Sequence, residues 1–195
     1  MTAIILAGGK SLRLGQNKAL QIIQGKSLIQ RVVDRLATLS KEIIVVTAHG
    51  EAIPCSSPVR MKTVADIYPG KGSLGGIYSG LVASSNPRAT VVGCDMPFLS
   101  VGLLAYMIQI CSIFDVVIPR IEDKLEPLCA VYSKICLVPI KELLEQNELK
   151  ISRLLSTVNV NYVRKDEIER FDPEHLSFFN VNSQDDLEKA RILAA

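Results

Sequence analysis

This sequence lacks a large excess of charge of either sign. Its 195 residues carry a net charge of +2, and no long basic stripe accompanies that small excess. A strongly electrostatic nucleic-acid binder is thereby excluded, although local Lys and Arg side chains are available to meet a phosphorylated small molecule. The five cysteines are scattered, odd in number and nowhere at C-x-x-C spacing, which argues against both a zinc site and a disulfide framework. Cys94, Cys111 and Cys129 sit in apolar runs and read as small buried hydrophobes. No apolar run approaches the ~18 residues of a membrane span, and Met1-Thr2-Ala3-Ile4-Ile5-Leu6-Ala7 carries no basic leader. The expected compartment is the cytoplasm, with neither membrane nor nucleic acid as partner. Histidine occurs twice; His49 and His175 lie in polar stretches and read as bystanders.

What remains is an ordinary globular composition, 48% hydrophobic and 22% charged. A chain of this size buries roughly 70% of the surface its unfolded form exposes and needs no staples. It reads as one domain over residues 1–195, without repeats or low-complexity linkers. Thr2 to Ala7, Ile43 to Thr47, Thr90 to Cys94 and Val116 to Ile118 are β-branched apolar runs bounded by turn residues or charges, as buried strands are. Leu28, Ile29, Val32, Val33, Leu36 and Leu39 recur at helical spacing between the first two. Leu74 to Ser84 and Val101 to Ser112 fill the next helical slots. This alternation predicts an α/β fold, a mainly parallel sheet with helices on both faces. Beyond about residue 120 the order becomes mixed. Glu126 to Tyr132 and Val158 to Val163 read as strands and Asp185 to Ala194 as a helix. Ile135 to Gln146 reads as a helix that Pro139 forces to start late or kink.

Ligands of open parallel sheets bind beyond the carboxyl ends of the strands. After the first strand comes Gly8-Gly9-Lys10-Ser11-Leu12-Arg13-Leu14-Gly15-Gln16-Asn17-Lys18, a loop in which glycines admit a polyanion to the backbone. Arg13 offers a planar fork to phosphate and Lys18 a compact charge. It is not a Walker loop, since G-x-x-x-x-G-K-[ST] is absent. After Val64-Ala65 comes Asp66, then Pro69-Gly70-Lys71-Gly72-Ser73-Leu74-Gly75-Gly76. After Cys94 comes Asp95-Met96-Pro97. Asp95, at a strand end, is placed to hold Mg²⁺ that bridges phosphate oxygens. Its alternative as a helix cap falls to Ser100. Asp66 occupies an analogous strand end, where it reads as a ligand group or as a turn former. Gly70-x-Gly72-x-x-Gly75 also matches a dinucleotide fingerprint, with Asp95 at about the 20-residue spacing of a ribose-binding acid. Residues 66–69 separate that motif from its strand, however, and a dehydrogenase would leave Arg13 and Lys18 without work.

Leu6-Ala7-Gly8-Gly9-x-Ser11-x-Arg13-x-Gly15-x-x-Lys18 resembles the signature of nucleotidyltransferases with a three-layer Rossmann-like fold. Together with Asp66, the Pro69–Gly76 segment, Cys94-Asp95-Met96-Pro97, Glu126-Pro127-Leu128 and Asn180-Val181-Asn182, it resembles the molybdenum cofactor guanylyltransferases over nearly the whole chain. The resemblance implies Mg²⁺-dependent transfer of GMP from GTP to molybdopterin with release of pyrophosphate. It implies that the backbone of Leu6, Ala7 and Gly8, in the loop that continues through Gly9, lines the guanine pocket. Lys18 would bind phosphate, Asp66 the nucleotide, and Asp95 the metal. Leu14 stands where the family often has methionine, Ser73 where it has proline, and Thr47 where an asparagine assists nucleotide binding. Relatives that use CTP have alanine at the position of Gly8, so glycine there favours guanine. The neighbouring readings are a cytidylyl or sugar-phosphate transferase of the same fold and a non-catalytic nucleotide-binding module. Retention of Arg13, Lys18 and Asp95 together speaks against the module. Neither a monomer nor a weak oligomer, nor transient contact with other cofactor-biosynthesis proteins, conflicts with the residues.

Such a transfer needs no strong general base, because a phosphate monoester is already a nucleophile near neutral pH. Positioning and neutralisation of spreading charge by Mg²⁺, Arg13 and Lys18 would suffice. Residues 1–100 form the expected nucleotide half and residues 101–195 the acceptor half. Asn180 and Asn182 are the acceptor candidates. Two apart on an extended segment they share a side, and Ser183-x-x-Asp186 already supplies the cap of the final helix.

Overall fold

The computed structural model describes residues 1–8 and 18–194. Strand β1 (Thr2–Leu6) is followed by a short hairpin of β2 (Ile22–Ile23) and β3 (Lys26–Ser27), then helix α1 (Leu28–Leu36), β4 (Glu42–Thr47) and β5 (Arg60–Ala65). Helix α2 (Gly72–Ala83) leads to β6 (Arg88–Gly93), and α3 (Val101–Ile110) to β7 (Val116–Ile121), β8 (Lys124–Leu125) and β9 (Cys129–Ser133). The chain ends through α4 (Leu137–Glu145), α5 (Ile151–Leu155), β10 (Val160–Val163), α6 (Lys165–Ile168) and α7 (Gln184–Leu193). The main sheet runs β5-β4-β1-β6-β9-β7-β10, with β8 paired to β7. β9 runs against both its neighbours and β8 against β7; the remaining pairings are parallel.

β1 lies inside the sheet, between β4 and β6, because its residues are apolar on both faces. Ala3 and Ile5 face a core with Ile29, Val32, Val33 and Leu36 of α1 and Leu103, Leu104 and Met107 of α3. Ile4 faces the other core, with Leu74, Ile77 and Leu81 of α2 and Ile140 and Leu144 of α4. All three are fully buried, and the fold is the expected three-layer α/β sandwich. At roughly 25 cal/mol per Å² of apolar area, each large aliphatic side chain so enclosed contributes on the order of 2 kcal/mol against the cost of ordering it. Helix α2 lies close on the sheet at Gly80, where a Cβ would come within 2.5 Å of Ile4 Cγ2. β5, at the sheet's edge, is polar through Arg60 and Lys62 and only partly covered. Pro139 is accommodated by a late start: a 3₁₀ turn over Lys134–Cys136 precedes α4, and the proline falls in the helix's first turn. The hairpin turns on Gln24 (φ 46°) and Gly25 (φ 77°), both left-handed as a type I′ turn requires. No helix among the described residues is long and apolar enough to cross a membrane.

Topology fixes where a ligand belongs. From β1 the sheet grows one way through β4 to β5, and α2 then carries the chain back to β6 on the other side of β1. The carboxyl ends of β1 and β6 therefore flank the point where strand order reverses, the position at which open α/β sheets bind ligands.

Candidate active site

The strand ends at this switch point are pinned to one another. Ala7 N–H donates to Val46 O at 2.9 Å, and Cys94 N–H to Leu6 O at 3.1 Å. Gly8 lies against the end of β4, where a Cβ would stand 3.2 Å from Ala48 N. Gly9 and Arg13 lie outside the described residues. On the far side of their loop, Lys18 opens a 3₁₀ turn (Lys18–Leu20) and reaches back across the switch point. Its ammonium donates to Asp95 Oδ2 at 2.5 Å and to Asn182 Oδ1 at 2.6 Å. The Lys18 and Asp95 side chains are only 11% and 19% exposed, so solvent screens their attraction less than at a surface pair. The structure thus gathers a cation, a carboxylate and an amide from three distant parts of the chain.

Asp95 follows β6 through Gly93 and Cys94. A Cβ at Gly93 would overlap Asp95 Oδ1, so glycine there sets where the carboxylate can turn. Asp95 O accepts from Val181 N–H at 3.0 Å, which ties the final segment to this loop. Ser100 caps α3 and accepts from Leu103 N–H, leaving Asp95 free of that duty. Cys94 is inert here: burial, with Asp95 adding to it, pushes its thiol up to about 12. All five cysteines are free, and Cys111, Cys129 and Cys136 are buried.

Asp66 follows β5, and its side chain builds its own loop. Oδ1 accepts from Tyr68 N–H at 3.0 Å and from the Ser79 hydroxyl at 2.7 Å, and Ser79 in turn accepts from Ile67 N–H at 2.8 Å. Asp66 N–H donates to Thr47 O at 2.8 Å, coupling the ends of β4 and β5. Thr47 is buried and its hydroxyl accepts from Gly50 N–H at 3.0 Å. Its hydroxyl thus folds its own loop. Ser79 and Gly93 are supporting residues that the motifs did not single out. A lone glycine interrupting an apolar strand was the available signal for Gly93.

The two asparagines have different partners. Asn182 faces Lys18, whereas Asn180 Nδ2 donates to Phe178 O at 2.9 Å. Ser183 caps α7 with Asp186 as a reciprocal box, but the asparagines are not left free by it. The dinucleotide reading fails on topology. β5 and β6, which flank the Gly70–Gly75 segment, are separated in the sheet by β4 and β1, whereas the fingerprint demands a neighbouring strand.

Among the described residues no three His, Cys, Asp or Glu side chains gather as a metal cage. One strand-end carboxylate is nevertheless what Mg²⁺ needs when a nucleotide's phosphates complete its shell, since Mg²⁺ characteristically takes one or two protein carboxylates. Asp95, paired with a lysine that a polyphosphate would attract, fits that donor set.

Residues 3–162 match the MobA-like NTP transferase domain. A protein of Pelotomaculum thermopropionicum named a probable molybdenum cofactor guanylyltransferase is 37% identical over 193 residues, covering 99% of this chain and 93% of its own. The molybdenum cofactor guanylyltransferase of Desulfosudis oleivorans is 33% identical, with 97% and 94% covered. Among solved structures, molybdopterin-guanine dinucleotide biosynthesis protein A of Archaeoglobus fulgidus superposes with a TM-score of 0.82 at 27% identity, covering 100% of this chain and 98% of that one. The 2-C-methyl-D-erythritol 4-phosphate cytidylyltransferase of Thermus thermophilus, at 16% identity and a TM-score of 0.71 with 98% of each chain covered, shares the fold. With cation, carboxylate and amide assembled at the switch point of this sheet, the chain belongs to the MobA-like nucleotidyltransferase family, alongside the molybdenum cofactor guanylyltransferases.

Proposed function

We propose that the chain transfers GMP from GTP to molybdopterin in the presence of Mg²⁺ and releases pyrophosphate. The observation that carries this reading is the meeting of Lys18, Asp95 and Asn182 at the switch point between β1 and β6. The similarity to guanylyltransferases along nearly the full chain supports the choice of base and acceptor.

In this mechanism an oxygen of the acceptor's terminal phosphate attacks the α-phosphorus of GTP. The new O–P bond forms as the bond to the β-phosphate's bridging oxygen breaks, and pyrophosphate carries away the electron pair. The backbone of Leu6, Ala7 and Gly8 seats the base, and Asp66 fixes the loop against which the nucleotide lies. Lys18 exchanges its internal partners for phosphate oxygens, and Arg13 adds a second cation. That exchange frees Asp95 to hold Mg²⁺. Bound Mg²⁺ supplies charge that neutralises the phosphate oxygens. The protein's part is alignment and charge placement.

The test is to incubate the protein with Mg²⁺, molybdopterin and each of the four nucleoside triphosphates while following pyrophosphate. Release is expected with GTP and only when molybdopterin is present. Equal release with CTP would remove the guanine assignment, and release without acceptor would remove the transfer.

A further inference from the structure

Glu126-Pro127-Leu128 stands out in the sequence, and nothing in the nucleotide site uses it. The segment lies at the carboxyl edge of the sheet. β9 begins at Cys129, paired to Val92 of β6, and Gly93 N–H donates to Leu128 O at 3.3 Å. Residues before Cys129 therefore extend past the end of β6 on the side where Asp95 stands. Glu126 N–H donates to Pro119 O of β7 at 3.1 Å, and its carbonyl accepts from Cys129 N–H at 3.1 Å. Those bonds place Glu126 between one and two strand spacings from β6, roughly 5 to 10 Å. They also satisfy its backbone, so the turn makes no demand on its side chain.

That side chain is a carboxylate 9% exposed, paired at 2.8 Å with Lys124, whose own side chain is 73% exposed. Withdrawing a carboxylate from water for a solvated ammonium gains little by itself. Cys129, three residues on, belongs to the core shared by α1 and α3, together with Ile168 and Phe178 of the acceptor half. Burial raises the Cys129 thiol, and the charges of Glu126 and Asp172 raise it further, so both carboxylates are within its electrostatic reach. Asp172 holds the N–H groups of Leu176 and Ser177, and the segment they begin runs on to Val181 and Asn182 at the Asp95–Lys18 pair.

An ionised carboxylate is an acceptor with two oxygens. Its natural complement is a pair of parallel N–H donors, as in the ring N–H and 2-amino group that pterins and guanine share. Glu126 stands on the β9–β7 side of Asp95, away from β1, β4 and β5, where the nucleotide loops are. We propose that Glu126 is a specificity-determining residue of the acceptor site, its carboxylate accepting from the ring N–H and 2-amino group of the pterin. The inference rests on molybdopterin being the acceptor.

The test uses the full chain with Mg²⁺ and a non-hydrolysable GTP analogue, and calorimetry with two probes. One is 6-hydroxymethylpterin phosphate; the other is the matching lumazine phosphate, with oxygen replacing the 2-amino group. The wild type is expected to prefer the pterin at least ~10-fold, because a site built to accept N–H bonds discriminates against their loss. Glu126→Gln, an isosteric change, should abolish that preference and leave affinity for the GTP analogue unchanged. Lys124→Ala, which breaks the ion pair but spares the carboxylate, should keep the preference. The proposal is overturned if Glu126→Gln retains the preference or if Lys124→Ala abolishes it too, since the pair would then be structural. It is also overturned if Glu126→Gln weakens the GTP analogue instead, which would assign the carboxylate to guanine. A wild type that binds the GTP analogue and neither ring brings down the molybdopterin reading itself, and this inference with it.

Discussion

Asp95 meets Lys18 through one oxygen at 2.5 Å, while Gly93 crowds the other. Asp95→Asn keeps the shape and removes the charge, and turnover is expected to fall by about 10²-fold or more. Its fold should survive with a modest fall in melting temperature, because the isosteric amide keeps an oxygen that accepts from the Lys18 ammonium. Near-normal rates at limiting Mg²⁺ would take Asp95 out of the metal site. Lys18→Arg tests geometry separately from charge. The ammonium sits between Asp95 and Asn182 at 2.5 and 2.6 Å, and a wide planar fork does not fit where a compact ammonium does. Lys18→Arg should therefore recover little of the activity lost in Lys18→Ala; full activity would mean that net charge alone matters. That Asp66 and Asp95 stand at strand ends was legible, because Val64-Ala65 and Val91-Val92 just before them have strand character. The bond between Lys18 and Asn182 was not, since periodicity carries no information about contacts made across the whole chain.

Among the elements, the loop after β5 depends on one hydroxyl. Ser79, on α2, joins Asp66 Oδ1 to Ile67 N–H. Ser79→Ala removes the hydroxyl that links this N–H to the carboxylate, at about 0.5–1.5 kcal/mol for each hydrogen bond lost. A urea melt should show the loss, and the KM for the nucleotide should rise more than kcat falls. Unchanged KM would separate this loop from nucleotide binding. Buried strands such as β1, β4 and β6 could be read from sequence because both faces are covered and the apolar run is continuous. The polar half of β5 could not, being an edge strand. The β2–β3 hairpin was equally hidden, because Gln24-Gly25 lacks the asparagine or aspartate that usually marks a type I′ turn. Nor does composition reveal that β9 runs antiparallel, a choice made by the short return from β7, against which both β8 and β9 run.

The molecule as a whole has a second polar centre, at the amino end of the sheet, opposite the site. Glu42 is buried there and accepts from the Thr2 hydroxyl at 2.7 Å, from Ser85 N–H at 2.9 Å and from the Ser85 hydroxyl at 2.8 Å, with Lys62 at 3.4 Å. Burial alone would raise its pKa. The Ser85 and Thr2 bonds and the charge of Lys62 outweigh that and hold it at about 2, below the ordinary 4.5. A depressed carboxylate pKa gives stability that is fully present above 4.5 and lost as pH falls toward about 2. The stability gap between wild type and Glu42→Gln, measured by urea melts, should therefore close across that window. A gap that stays constant through it would show that the charge of Glu42 is not what holds β1, β4 and the Ser85 turn together.

Lys18 and Asn182 are 164 positions apart, and contacts of such separation are slow to find because a long loop must close before they stabilise anything. Helices and neighbouring strand pairs can form well before the two ends of the chain meet. After dilution from denaturant, catalytic activity is therefore expected to recover later than the far-ultraviolet circular dichroism signal, and coincident traces would contradict that order. Protein assayed too soon after refolding would register as helical and inactive.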